Sequence, residues 1–187
     1  MRRKLRAVTT GSVPRPLFDT DTIDRRVAEL GRTIARDYEG KELLVVGILS
    51  GSFIFMADLV RHIDVPLRVD FMAVSSYGDG TKSSGVVRIL KDLNREIHDR
   101  HVLLVEDIVD TGLTLHYLLD NLRTREPLSL KVCTLLDKTQ ARVRDVPIDY
   151  VGFACPDAFV VGYGLDVAGL HRNLPYIGIY EPPEGGA

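Results

Sequence analysis

Glu106, Asp107 and Asp110 place three carboxylates within five residues, and Thr111-Gly112-Leu113-Thr114 follows at once. Upstream lies Val102-Leu-Leu-Val105, an apolar run of the kind that forms a strand buried on both faces. Acids this close at the rim of an apolar core repel one another unless something positive arrives. A magnesium ion or the hydroxyls of a sugar would satisfy them. The residues after the acids open a helix, whose free N–H groups, together with a side-chain-free glycine and two threonine hydroxyls, form a seat for an anion such as phosphate. A single acid here is explained by helix capping, with Asp110 as the N-cap; capping does not explain the whole run. The spacing is not a P-loop, because no Gly-Lys-Ser/Thr follows, and Gly162-x-Gly164 lacks the third glycine of a dinucleotide fingerprint.

The surrounding sequence supplies elements to hold these groups. Ile23, Val27, Leu30, Ile34 and Tyr38 recur at steps of three or four, which predicts an amphipathic helix over 22–38 that stops at Gly40. Leu43–Leu49 is a continuous apolar strand, broken by Ser50-Gly51-Ser52, and helical spacing returns over 53–63. A strand over 65–75, the polar glycine-rich stretch 77–85 and a strand over 86–90 read as a long hairpin. Leu115, Leu118, Leu119 and Leu122 share one helix side, and strands follow at 130–136, 150–154, 159–162 and 176–180. Alternating strands and helices predict an α/β fold, a mostly parallel twisted sheet with helices on both faces. In such sheets ligands bind beyond the carboxyl ends of the strands.

The chain has 187 residues and a formal net charge of −2, with 45% hydrophobic and 27% charged residues. At roughly 150 residues per domain this suggests one domain, of a composition that excludes disordered and fibrous classes. The balanced charge speaks against a nucleic-acid-binding surface, and no apolar window approaches the roughly 18 residues of a membrane span. Two cysteines make no disulfide framework and point to a reducing cytoplasm. The five histidines show no metal-ligand spacing, and Cys133 falls mid-strand as core. Residues 1–16 and 183–187 read as flexible tails, leaving 17–182 as the folded unit.

Val102-Leu-Leu-Val-Glu-Asp-Ile-Val-Asp-Thr-Gly-Leu-Thr114 resembles the phosphoribosyl-pyrophosphate motif of type I phosphoribosyltransferases. Val69-Asp-Phe71, Ser75-Ser-Tyr-Gly78, Leu136-x-Lys138, Phe159-Val-Val-Gly-Tyr-Gly-Leu-Asp166 and Arg172-Asn-Leu-Pro-Tyr-Ile-Gly178 are similar to the hypoxanthine(-guanine) branch of that family. The resemblance covers about residues 20–182. It implies a small hood built from the N- and C-terminal segments, a flexible hairpin lid over about 75–90, a magnesium cofactor and assembly as a homodimer or homotetramer.

The resemblance also implies roles. Glu106 and Asp107 hold the ribose hydroxyls of the phosphoribosyl donor, and Asp110 is the general base at the purine imidazole ring. The loop Asp110, Thr111, Gly112, Leu113 and Thr114 binds the 5′-phosphate. Alone, Lys138 reads as a solvated strand end and Phe159 as core; by resemblance Lys138 donates to the 6-oxygen of the purine, Phe159 stacks on the base and Val160 offers backbone hydrogen bonds. An ammonium at that point favours hypoxanthine or guanine over adenine, which offers a donor there instead of an acceptor. Asp166, set beside the purine, matches a magnesium ligand, with Glu106 and Asp107 as further candidates. Arg172 matches a pyrophosphate contact, shared with the loop Ser50-Gly51. Ser76 and Tyr77 match the lid that excludes water from the reacting centre. One departure stands out: Ser50 replaces a lysine that some relatives carry in the pyrophosphate loop. The expected reaction is purine salvage, converting hypoxanthine and/or guanine plus 5-phosphoribosyl 1-pyrophosphate into IMP or GMP plus pyrophosphate. The rival readings are a xanthine-type enzyme and a non-catalytic nucleotide-sensing regulator whose foothold is the arginine-rich start.

Overall fold

Leu43–Leu49 is apolar at every position because both of its faces are covered. Leu43 and Val45 enter one core with Ile23, Val27, Leu30, Ile34, Phe55 and Leu59. Leu44, Val46 and Ile48 enter a second core with Leu115, Leu118, Leu119 and Leu122. The computed structural model describes residues 14–77 and 86–182. In chain order the elements are β1 (Arg15–Phe18), α1 (Thr20–Asp37), β2 (Leu43–Leu49), α2 (Phe53–Val60), β3 (Leu67–Tyr77), β4 (Val86–Lys91), β5 (His101–Val109), α3 (Leu113–Arg123), β6 (Ser129–Asp137), β7 (Tyr150–Ala154), β8 (Val160–Val161) and β9 (Ile177–Ile179).

The main sheet runs β4-β3-β2-β5-β6-β7. Every neighbouring pair is parallel except β3 and β4, which form an antiparallel hairpin. α1 and α2 cover one face and α3 the other, as the alternation of the two cores requires. α1 starts where the Asp19 carboxylate accepts from the Thr22 N–H at 2.8 Å, a cap worth about 1 kcal/mol. Arg26 on α1 reaches over the edge strand β7 and donates to the Val151 and Gly152 carbonyls at 2.7 and 2.8 Å. Edge carbonyls that would otherwise be open to pairing are thereby occupied.

Two features differ from the expectations. Arg15 and Pro16, read from sequence as tail, form the start of β1, which pairs antiparallel with β9 as Arg15↔Ile179 and Pro16↔Gly178. With β8 on the other side of β9, this makes a small separate sheet, β1-β9-β8. No local hydrophobic alternation announces β1, since its partner lies at the far end of the chain. β5 also runs further than its apolar run, to Val109, because β6 continues alongside it through Ile108↔Leu136 and Val109↔Asp137. Residues 1–13, the hairpin tip 78–85 and residues 183–187 lie outside the described residues, so most of the tail and lid expectations fall there.

Candidate active site

The main sheet brings the carboxyl ends of β2, β5 and β6 side by side, and most of the singled-out residues stand there. Glu106 and Asp107 sit inside the last turn of the β5 ladder, not beyond it. Glu106 is buried, and burial pushes its carboxyl well above the usual carboxylate range, with the Asp107 charge adding to the effect. Burial also lifts Asp107 to about 6. Hydrogen bonds oppose that rise, including the Ile108 N–H donated to Asp107 Oδ1 at 2.9 Å, and so does the positive charge of Arg172; Asp166 adds to it. Two acids held this reluctantly in ionised form are groups waiting for a cation or for hydroxyl donors.

Beyond Val109 the chain turns outward. Asp110 is about half exposed and is not the helix cap. Gly112 takes that position with φ +80°, a left-handed conformation that L side chains rarely adopt. A methyl on Gly112 would also overlap the Arg144 carbonyl. The first N–H groups of α3 lack intrahelical partners by construction, and Leu113 N–H reaches only the Thr111 hydroxyl at 3.5 Å. With Thr114 in the first turn, this loop has the donors that a phosphate needs.

The pyrophosphate candidates join this loop through a tight backbone junction. A Cβ on Gly51 would overlap the Asp107 carboxylate, and one on Gly164, at φ +104°, would overlap the Gly51 carbonyl. Only glycines let the β2 loop, the β5 acid and the 162–165 loop meet this closely. Both the N–H and the hydroxyl of Ser52 turn back to the Ile48 carbonyl, at 3.4 and 2.6 Å, so Ser52 is spent inside the turn and Ser50 and Gly51 remain. The Leu49–Ser50 peptide is cis. Arg172 donates to the Gly164 carbonyl at 2.6 Å and pairs with Asp166 Oδ1 at 2.7 Å, while Asp166 Oδ2 accepts the Gly169 N–H at 2.7 Å. The metal candidate and the pyrophosphate candidate therefore hold each other.

At the purine end, Lys138 follows β6 and its N–H donates to the Val109 carbonyl at 3.0 Å. Its side chain is buried, with Nζ 4.0 Å from Asp110 Oδ2. Phe159 is 54% exposed, not core, and meets Tyr180 edge to face with ring centroids 6.0 Å apart. Val160 starts β8 and is buried. Ser76 and Tyr77 end β3 opposite Val87 and Val86 of β4. Sequence reasoning passed over Arg142, whose guanidinium pairs with Asp137 beneath this region; an arginine after a strand carries no local signal of burial. The cleft between Pro66, Arg68 and Arg100 lies at the amino ends of β2 and β3, away from all of these groups.

Among the described residues no three acidic, histidine or cysteine side chains cluster as a complete metal cage. Magnesium commonly takes one or two carboxylates and fills its remaining positions with water and substrate phosphates. Glu106 and Asp107, held uncomfortably as anions, and Asp166, whose charge is felt at Asp107, fit such a partial site.

The phosphoribosyl transferase domain family matches residues 17–168 of the chain. The hypoxanthine-guanine phosphoribosyltransferase of Bacillus subtilis is 49% identical over 170 residues, covering 91% of this chain and 94% of that protein. A bifunctional protein TilS/HprT of Listeria monocytogenes is 51% identical over 170 residues, or 91% of this chain, which spans only 26% of that protein's length. A crystal structure of a hypoxanthine phosphoribosyltransferase from Staphylococcus aureus superposes with a TM-score of 0.88 at 48% identity, over 92% of this chain and 94% of that one. The chain thus belongs to the phosphoribosyltransferase family, on its hypoxanthine-guanine branch.

Proposed function

We propose that the protein is a purine salvage enzyme that transfers the phosphoribosyl group of 5-phosphoribosyl 1-pyrophosphate to hypoxanthine and/or guanine. N9 of the purine forms the bond to C1 of the ribose as the bond from C1 to pyrophosphate breaks, with inversion at that carbon. The proton displaced from the imidazole ring passes to Asp110. The observation that carries this reading is the pairing of Asp110 Oδ2 with Lys138 Nζ at 4.0 Å, between the buried acids and the phosphate loop. A 6-oxopurine presents a ring nitrogen and a carbonyl oxygen on one edge, so a carboxylate beside an ammonium matches that edge. Adenine would turn an amino group toward the ammonium and leave both donors unsatisfied.

The remaining groups take their parts from position. Glu106 and Asp107 hold the ribose hydroxyls, Thr111 to Thr114 seat the 5′-phosphate, and Ser50, Gly51 and Arg172 receive the pyrophosphate. Phe159 offers its exposed face to the base and Val160 its backbone. Magnesium, held by Asp166 with Glu106 and Asp107 nearby, supplies neutralisation of the leaving pyrophosphate. We read residues 17–182 as a single domain, the small sheet as a hood over the purine and residues 75–90, with Ser76 and Tyr77, as the lid that excludes water. The family resemblance also supports a homodimer or homotetramer. Buried free cysteines Cys133 and Cys155 support a cytoplasmic setting.

The test mixes the protein with magnesium, 5-phosphoribosyl 1-pyrophosphate and hypoxanthine, guanine, xanthine or adenine in turn. IMP or GMP is expected, with no AMP; no nucleotide from any base overturns the reading. In the same assay, Asp110→Ala is expected to lower kcat by about 10²–10⁴ while donor affinity changes by less than about threefold. Undiminished turnover removes Asp110 as the base.

A further inference from the structure

The segment that carries Lys138 is fastened at one end to the last residue of β5 and at the other to the phosphate loop. Lys138 N–H donates to the Val109 carbonyl at 3.0 Å. Five and six residues on, the Val143 and Arg144 N–H groups both donate to the Thr111 carbonyl, at 2.9 and 3.0 Å. Between these ends a single turn of 3-10 helix, Thr139–Ala141, shortens the path. The result is a strap from the purine-reading lysine to the loop proposed to seat the 5′-phosphate.

Arg142 belongs to that strap, directly after the 3-10 turn. Its side chain is only 10% exposed, and its guanidinium is paired with Asp137 at the end of β6, a carboxylate that also accepts the Thr139 hydroxyl at 3.1 Å. Its Cδ lies 3.0 Å from where a Cβ on Gly112 would stand, so the arginine stem is packed against the backbone of the phosphate loop. Its Nε is buried without a hydrogen-bond partner. A buried, charged N–H left unpaired is costly, and such a group calls for an explanation.

We infer that Arg142 is a positioning residue that sets the phosphate loop against Lys138, so that 5′-phosphate binding and purine selection are coupled through the strap. The inference rests on the phosphoribosyltransferase reading and deepens it. The spare Nε–H is the donor whose partner is completed when the loop closes on a 5′-phosphate. Because Lys138 is anchored to the same segment, a loop that loses its support also loosens the lysine that rejects adenine.

The test uses the full chain, with ribose 5-phosphate as a probe that carries the 5′-phosphate but no leaving group. Arg142→Met keeps most of the stem and removes the charge and Nε–H; it is expected to raise the Kd for ribose 5-phosphate and the KM for 5-phosphoribosyl 1-pyrophosphate by about tenfold, with kcat changed by less than about threefold. The ratio of kcat/KM for hypoxanthine over adenine falls in the same variant. Arg142→Lys restores charge but not the fork and recovers only part of the loss. Asp137→Asn attacks the same pair from the other side, leaves Arg142 in place and shifts the ribose 5-phosphate Kd the same way, so the test survives if Arg142→Met fails to fold. Ribose 5-phosphate Kd and donor KM within about twofold of the parent, whatever the change in Tm, overturn the inference. Wild-type protein that binds ribose 5-phosphate but yields no nucleotide overturns the enzymatic reading instead, and the binding comparison still decides the role of Arg142.

Discussion

Asp107 is held where its charge is unwelcome, and the consequence is measurable without substrate. Its carboxyl is raised from 3.8 to about 6 chiefly by burial. The folded protein therefore keeps a proton that the unfolded chain has already released. Stability from this group is present at low pH, falls as pH rises past the unfolded value, and is fully lost above the folded value near 6. The rise corresponds to about 3 kcal/mol, trimmed by partial solvent contact to about 1–2 kcal/mol. Asp107→Asn keeps an oxygen for the Ile108 N–H and removes the charge. It is expected to match the parent in Tm near about pH 4 and to exceed it by about 2–6 °C above about pH 7, while donor binding is lost. A Tm difference that is flat from acid to neutral pH would show that the acid is not strained. Lys138→Ala, by contrast, acts on selection: the preference for hypoxanthine over adenine is expected to fall by about tenfold or more, read from kcat/KM for the two bases. The types of these residues are plain in the sequence because acids after an apolar strand are conspicuous. Their burial is not, because it depends on β6 continuing beside β5 through Asp137.

Elements meet at this site through backbone contacts that leave no room for side chains. The loop after β2 touches the end of β5 at Gly51 and Asp107, and touches the 162–165 loop at Gly51 and Gly164. Gly51→Ala places a methyl against the Asp107 carboxylate. Either the loop after β2 or the Asp107 side chain must then move, at a cost of about 1–3 kcal/mol in stability, and the donor KM is expected to rise by about tenfold. Ser50→Ala, at an exposed neighbour, should change stability by less than about 0.5 kcal/mol. An alanine at 51 with parental Tm and KM would show that the junction is not needed. Helices and inner strands were readable from period alone: α1 by its steps of three and four, and β2 by an apolar run covered from both sides. β1 was not readable, since Arg15 and Pro16 pair with Ile179 and Gly178 from the far end of the chain. The Gly51–Gly164 contact is equally silent in sequence, because a glycine's reason lies in what touches it.

At the scale of the molecule, the site spans two sheets of unequal strength. β2 and β5 lie in the middle of the six-stranded sheet, between two apolar cores, with Val45, Val46, Leu103, Leu104 and Val105 fully buried. β8 and β9, beside Phe159, belong to a three-stranded sheet whose strands are two to four residues long. Ladders this short carry few hydrogen bonds of their own and lean on the packing of Val160 and Ile177 against the first core, so they open at lower free energy than the six-stranded sheet. The proposed phosphate and ribose contacts and Lys138 thus stand at the end of the six-stranded sheet, while the exposed Phe159 adjoins the smaller one. Amide exchange is expected to be slowest in β2, β5 and β6 and faster by about 10²-fold or more in β1, β8 and β9. Adding a purine nucleotide should slow exchange in the small sheet far more than in β5, because a base against Phe159 stabilises the element with the most to gain. Equal protection of the two sheets in the free protein would show that the small sheet is as firmly held as the large one.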